Sequence, residues 1–289
     1  MKKLLLTTLF ISLLSSLFAF DWPQDNVTDK SYSSYFGQRQ GEVLSTSLIF
    51  NEENDIKAAE DGNILIIMSD EDEDSDFFPS TLGTSVIIAH EDNLMSVYGN
   101  LDAKTISYNE NKNKDINVKA GDLIAHTGKS GYVQGNGHLE FQIIDTNNNT
   151  AINPKILMPR SKKELPLSLS GIQLQNKGGK FFDINKTKTY ESGLYRVYQK
   201  RNNIASPYKT SVAINGITID QITYDTISQE NGKSCVNGKR KYTSNDIYPN
   251  DTLQLLGEIN LTPGKATITL YSEDILSNTK ELNDYISIY

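Results

Sequence analysis

Apolar residues in this chain fall into short runs or strict alternation, and almost nowhere at the three-and-four spacing of an amphipathic helix. That pattern restricts the fold to an all-β architecture. Asn63 to Met68, Thr84 to His90, Leu94 to Gly99 and Asp122 to Gly128 read as strands, with Gly, Asn and Asp between them. The run GNGHLEFQI, from Gly135 to Ile143, reads as a glycine turn and then a strand. On that strand His138 and Glu140 share one face, while Leu139 and Phe141 point to a core. Asn153-Pro154 bends the chain out of this first region.

Pro159 to Pro166 is charged and bracketed by prolines, and is read as a linker. Beyond it, Ser168 to Gln175, Gly193 to Gln199, Thr210 to Tyr224, Thr252 to Leu261, Ala266 to Ser272 and Asp284 to Tyr289 are again strand candidates. Asn215-Gly216 between two alternating runs marks a hairpin. About seven short strands of this kind predict a β-sandwich of immunoglobulin-like type. The expected division is 1–19 signal peptide, 20–159 first domain, 160–166 linker and 167–289 sandwich.

The chain of 289 residues has 37% apolar and 22% charged residues, enough for packed cores. Its formal net charge of -8 gives no general attraction to nucleic acid or anionic lipid. The acidic run Asp70 to Asp76 is read as a solvated loop. Lys2 and Lys3 precede an apolar stretch that ends near Ala19, the arrangement of a secretory signal peptide. No membrane span is expected beyond it. The mature chain is expected to start near Phe20 and to act outside the cytoplasm, secreted, periplasmic or at the cell envelope. One cysteine, Cys235, excludes an intrachain disulfide and a Cys/His zinc cluster, and is read as a structural thiol.

Six segments in register over Tyr35 to Met158 carry a resemblance. They are YFGQR (Tyr35 to Arg39), IKAAEDGNIL (Ile56 to Leu65), GTSVIIAHEDNLMSVYGNL (Gly83 to Leu101), INVKAGDLIAHTGKSG (Ile116 to Gly131), GHLEFQI (Gly137 to Ile143) and INPKILM (Ile152 to Met158). Together they resemble the lysostaphin/LytM-type zinc endopeptidases of metallopeptidase family twenty-three, which cleave peptidoglycan cross-links. The resemblance implies an antiparallel, duplicated-hybrid-motif-like sheet core in the first domain.

It also implies where a zinc site would lie. The family holds zinc by the His and Asp of an H-x-x-x-D motif and the second His of H-x-H. A His in Y-x-H-L and the first His of H-x-H assist catalysis. In this chain Ser45 and Ile49 stand at the H-x-x-x-D positions, Gly99 is taken as the Y-x-H-L position, and Glu140 replaces the last ligand. Only His138 survives. A catalytic zinc needs about three protein donors. Ile49 has no donor atom, so no metal or other cofactor is expected here, although zinc is expected in active relatives. Glu52, Glu53 and Asp55 are the nearest alternative donors. His138 is read either as a relic held by Glu140 or a backbone carbonyl, or as a ligand contact in the groove. His90 and His126 are read as structural.

The implied role is that of a pseudoenzyme: a non-catalytic binding or hydrolase-regulating protein whose partner is peptidoglycan or a cell-wall hydrolase. Two further readings stay open. One is an active peptidoglycan metalloendopeptidase with substituted ligands. The other is an envelope interaction protein acting through its C-terminal sandwich, with Tyr195, Tyr198 and Tyr208 as surface candidates and core packing expected for at least half of them.

Overall fold

The computed structural model describes residues 20–69, 80–108, 116–132, 138–202 and 205–289. The signal-peptide segment, the acidic run Asp70 to Asp76 and the turn Gly135 to Gly137 lie outside the described residues. No helix among the described residues is long and apolar enough to cross a membrane.

Strands dominate, as the alternation predicts, and helix is limited to single turns such as Pro154–Leu157 and Ser244–Ile247. In the first region an antiparallel meander of Gly62–Met68, Ser85–Ala89 and Leu94–Gly99 is joined by Glu140–Asp145, which pairs with Leu94–Gly99. Leu48–Phe50 pairs with one end of Glu140–Asp145, and Thr150–Ile152 with the other. The core side of these strands is Ile88, Tyr98, Phe141 and Ile143, all 0% exposed. Alternation forces the intervening residues Ile87, Val97, Gly99, Glu140 and Gln142 to the opposite face.

The C-terminal part is two packed sheets. One is Phe181–Asp183, Gln173–Asn176, Gly193–Lys200 and Leu253–Leu261. The other contains Lys209–Ile214, Ile217–Glu230, Gly264–Glu273 and Thr279–Ile288. Their facing sides share one cluster that includes Leu174, Tyr195, Val197, Leu256, Val212, Ile268, Leu270 and Ile286. The Asn215-Gly216 turn forms between Lys209–Ile214 and Ile217–Glu230 with φ of 51° and 80° at the two residues. Such a pair of positive φ values is what a tight hairpin turn demands.

The two regions are not separate bodies of sheet. Thr150–Ile152 pairs with Thr226 to Ser228 of the long strand Ile217–Glu230, so one fifteen-stranded sheet runs through both. A single core cluster likewise joins Phe36, Leu44 and Leu48 to Tyr224, Tyr242, Tyr248 and Leu255. Residues 160–166 form no strand or helix, yet they are held down. Lys155 and Glu164 make a 2.5 Å ion pair with side chains 11% and 10% exposed. Leu165 packs against the shared core.

Tyr195 and Tyr198 are 2% and 1% exposed, which removes them as surface contacts and leaves Tyr208 half-buried. Cys235 is buried, and its thiol lies 3.5 Å from the Lys233 carbonyl. Burial pushes the thiol pKa up, away from reactivity.

Candidate functional site

Three neighbouring strands place the substituted positions in one row. Glu140 is the register partner of Ile49 on one side and of Gly99 on the other. Directly paired residues in an antiparallel sheet project to the same face with Cβ atoms about 5 Å apart. Ile49 and Glu140, two of the positions that the family pattern sets against zinc ligands, are therefore spatial neighbours.

Each of these positions has its own partners. Ile49 is 1% exposed, and it brings hydrocarbon where a carboxylate would bind. Ser45 is buried, and its Oγ donates to the Ser47 carbonyl at 3.2 Å and lies 3.3 Å from Ser47 Oγ. Ser47 donates from Oγ to Glu140 Oε1 at 2.9 Å, and Gln142 donates from Nε2 to the same oxygen at 3.2 Å. Ser47 was invisible as a site residue in the sequence. A Ser two places from the motif position carries no signal until the register brings it to Glu140.

Gly99 lies beneath Leu82. A Cβ built at Gly99 would sit 3.1 Å from Leu82 Cδ2 and 3.2 Å from the Leu82 carbonyl oxygen. No side chain projects from this place. Counting Y-x-H-L along Tyr98 to Leu101 puts the His position at Asn100, one residue later than the assignment to Gly99. The geometry supports that correction. Asn100 is 2% exposed, with a left-handed φ of 63°. Its Nδ2 donates to the His138 carbonyl, and its Oδ1 accepts from Gly131 N at 2.8 Å. An amide that braces two loops thus stands where the family has an imidazole.

His138 is not held by Glu140. Its backbone N–H donates to the Phe50 carbonyl at 2.8 Å, while its side-chain Nδ1 is shut off from solvent without a hydrogen-bond partner. The expected His138–Glu140 bond does not form; Glu140 Oε1 accepts from Ser47 and Gln142 instead. The Gly128 to Gly131 loop closes the site as its glycines suggest. A Cβ at Gly128 would fall 2.4 Å from the Leu101 carbonyl carbon, and one at Gly131 would fall 2.7 Å from the Leu82 oxygen. Ser130 pins the loop, donating to the Leu101 carbonyl at 2.8 Å and accepting from Thr84 N at 2.9 Å.

Two of the three alternative donors are engaged on the surface. Asp55 meets His126 Nδ1 at 2.7 Å, both about half exposed, and Glu53 lies 3.8 Å from Lys129. His90 is structural. Its Nδ1 bonds the Asp61 carbonyl at 2.8 Å, and its Nε2 lies 2.7 Å from Ser96 Oγ. Ser96 lies 3.0 Å from the Tyr98 hydroxyl, which accepts from Ala59 N at 2.8 Å. Burial pushes the Tyr98 hydroxyl up to about 12.

Zinc fits this row poorly. Among the described residues no group of three His, Cys, Asp or Glu is placed to hold a metal ion. The donor chemistry agrees: one carboxylate, one imidazole nitrogen, a serine already bonded to its neighbour, and a branched hydrocarbon.

An all-β sheet with Ile49 and Glu140 paired in register agrees with the LytM/lysostaphin-type resemblance. Residues 45–154 match the model of peptidase family M23. A second family model spans residues 166–289. No curated protein matches the chain. Similar solved structures include a mutant catalytic domain of the prophage-encoded M23 protein EnpA from Enterococcus faecalis. It is 23% identical over 43% of this chain and 88% of that one, with a TM-score of 0.34. A zinc-containing peptidase from Vibrio cholerae is 22% identical over 51% of this chain and 41% of that one, with a TM-score of 0.37. A chain of the SpoIIIAH–SpoIIQ complex is 22% identical over 48% of this chain and 99% of that one, with a TM-score of 0.37.

Proposed function

We propose that this protein is a secreted or periplasmic envelope protein that binds peptidoglycan or a cell-wall hydrolase through its M23 domain without cleaving a substrate. Ile49 carries this reading. It stands beside Glu140 with hydrocarbon and no donor atom, and it is 1% exposed. Without a Lewis acid or an activated water, the family's hydrolysis has no nucleophile. Binding is a separate property of the sheet face and its loops, and it survives loss of the ion.

The test uses the purified mature chain. Metal analysis is expected to find zinc far below one ion per chain. Insoluble peptidoglycan is expected to co-sediment the protein and to release no soluble fragments. Stoichiometric zinc, lost together with hydrolysis in Glu140→Ala and His138→Ala, would establish an active enzyme with substituted ligands instead. In the converse experiment, Ser45→His, Ile49→Asp, Asn100→His and Glu140→His together are expected to create zinc binding. Failure of that variant to take up zinc while folded would show that the ligand positions are misplaced.

A further inference from the structure

We propose that Asn231 is a self-modifying site, which closes on the backbone nitrogen of Gly232 to give a succinimide and then isoaspartate. This goes beyond the binding role given above and does not depend on it.

The chain contains four Asn-Gly steps, at Asn136, Asn215, Asn231 and Asn237. The first lies outside the described residues. Glycine after asparagine puts no side chain in the way of ring closure, so local sequence ranks the other three alike. The fold does not.

Asn237 lies in the strand Lys233–Asn237. Its Nδ2 donates to Thr226 Oγ1 at 3.3 Å, and its Oδ1 accepts from Lys241 Nζ at 2.7 Å. The attacking nitrogen is also spent, because Gly238 N donates to the Arg240 carbonyl at 3.0 Å. A Cβ at Gly238 would fall 2.6 Å from a ring carbon of Tyr242, so this step is covered as well.

Asn215 and Asn231 occupy hairpin turns of one kind. The φ values are 51° and 80° at Asn215 and Gly216, and 50° and 75° at Asn231 and Gly232. The turn therefore restrains both steps alike, and their partners decide between them. Asn215 N donates to the Thr267 carbonyl at 2.9 Å, and Asn215 Oδ1 accepts from Thr267 N at 2.8 Å. Ring closure turns the carboxamide about its Cα–Cβ bond, and at Asn215 that motion must first break the second of these bonds. Asn231 is exposed, and its side chain has no hydrogen-bond partner among the described residues. As at Gly216, nothing lies within 4 Å of a Cβ built at Gly232, which leaves room for the ring.

The chemistry needs only water. Gly232 N bonds to Asn231 Cγ, the Cγ–Nδ2 bond breaks, and Nδ2 leaves as ammonia with the proton from Gly232 N. Water then adds to either imide carbonyl and opens one C–N bond, giving aspartate or isoaspartate. Isoaspartate lengthens the backbone by one methylene, which disturbs the Glu230–Lys233 pair that closes the turn. The next strand of this hairpin carries Ser234, whose Oγ accepts from Leu44 N at 2.8 Å. The modification thus acts on a brace of the segment beside Ser45.

The test holds the full mature chain, folded, in mildly alkaline buffer made with heavy-oxygen water, and maps its peptides by mass spectrometry over time. Asn231 is expected to convert at least about fivefold faster than Asn215 or Asn237, the factor that one ordinary hydrogen bond is worth. Its products are expected to include isoaspartate as well as aspartate, each with one heavy oxygen. In guanidinium chloride, where the fold is gone, the three rates are expected to converge. Asn215 or Asn237 reacting as fast as Asn231 in the folded chain would overturn the assignment, as would an Asn231 that stays intact. A difference that persists in denaturant would also overturn it, since local sequence would then be the cause. A product without isoaspartate would do the same, because that is the mark of direct hydrolysis.

Discussion

Ile49 shows why this site would not return to metal binding by one change. Ile49→Asp alone would place a second carboxylate beside Glu140, in a spot 1% exposed. A buried charge without a partner costs about 3–5 kcal/mol. The expected loss in urea unfolding at pH 7 is of that size. It should shrink towards pH 5, because crowding raises the carboxylate pKa and one proton relieves the pair. A loss unchanged with pH would mean that the new side chain escapes to water. His90 gives a second pH dependence. Burial outweighs its hydrogen bond to Asp61 and holds its pKa below the ordinary 6.5. Between the depressed folded value and 6.5 the unfolded chain binds more protons, so stability is complete above about 6.5 and falls as pH drops below it. His90→Gln is expected to flatten the fall in melting temperature between pH 7 and pH 5. An unchanged slope would assign the acid sensitivity elsewhere. At this scale the sequence showed Ile49 and Glu140 plainly, because a missing donor is visible in a single letter. It misassigned Asn100 by one place, and it could not show Leu82 over Gly99, a contact made only by the folding of a distant loop.

Among the elements, the strands with clean alternation or continuous apolar runs were legible: Gly62–Met68, Ser85–Ala89, Leu94–Gly99, Gly193–Lys200 and Leu253–Leu261 stand where their patterns put them. Lys233–Asn237, Lys241–Thr243 and Thr189–Tyr190 were not read as strands. Lys233–Asn237 pairs with the end of the long strand Ile217–Glu230, Lys241–Thr243 pairs with Lys233–Asn237, and Thr189–Tyr190 pairs in parallel with a strand nearly a hundred residues away. For Thr189–Tyr190 a distant partner decides the state and local pattern does not, whereas the other two are short strands paired to their sequence neighbours. Residues 160–166 teach the same lesson from the other direction. Charge and proline suggested a free linker, but Lys155 and Glu164 meet under cover, with Lys155 Nζ 5.5 Å and 5.8 Å from the ring centres of Tyr32 and Tyr35. Glu164→Ala is expected to cost about 3–5 kcal/mol, since it strands a buried ammonium. Lys155→Met combined with Glu164→Leu is expected to cost much less. If the single and double variants were equally unstable, packing rather than charge would be the cause.

Across the whole molecule, the sheet and the core pass from the M23-like region into the C-terminal part without a break. The segment just before Ser45 is where the two are joined. Tyr248 donates from its hydroxyl to the Gly37 carbonyl at 3.1 Å, and Ser234 Oγ accepts from Leu44 N at 2.8 Å. Gly37 has a φ of 78°, and a Cβ there would fall 2.6 Å from a ring carbon of Tyr224. Only glycine meets both conditions. The segment carrying Ser45 to Ile49 is thus braced from the C-terminal side, and Thr150–Ile152 has its outer edge covered by the strand Ile217–Glu230. Two bodies that share a core and a hydrogen-bonded ladder should unfold together. A single calorimetric transition is expected for the mature chain, with calorimetric and van't Hoff enthalpies in agreement. A chain ending at residue 165 would bare Leu44, Leu48 and the edge of Thr150–Ile152 to water, and is expected to aggregate rather than fold. Gly37→Val should then lower the one transition as a whole. Two resolved transitions, or a soluble and cooperative fragment 20–165, would show that the C-terminal part is a separable module and that the groove keeps its shape without it.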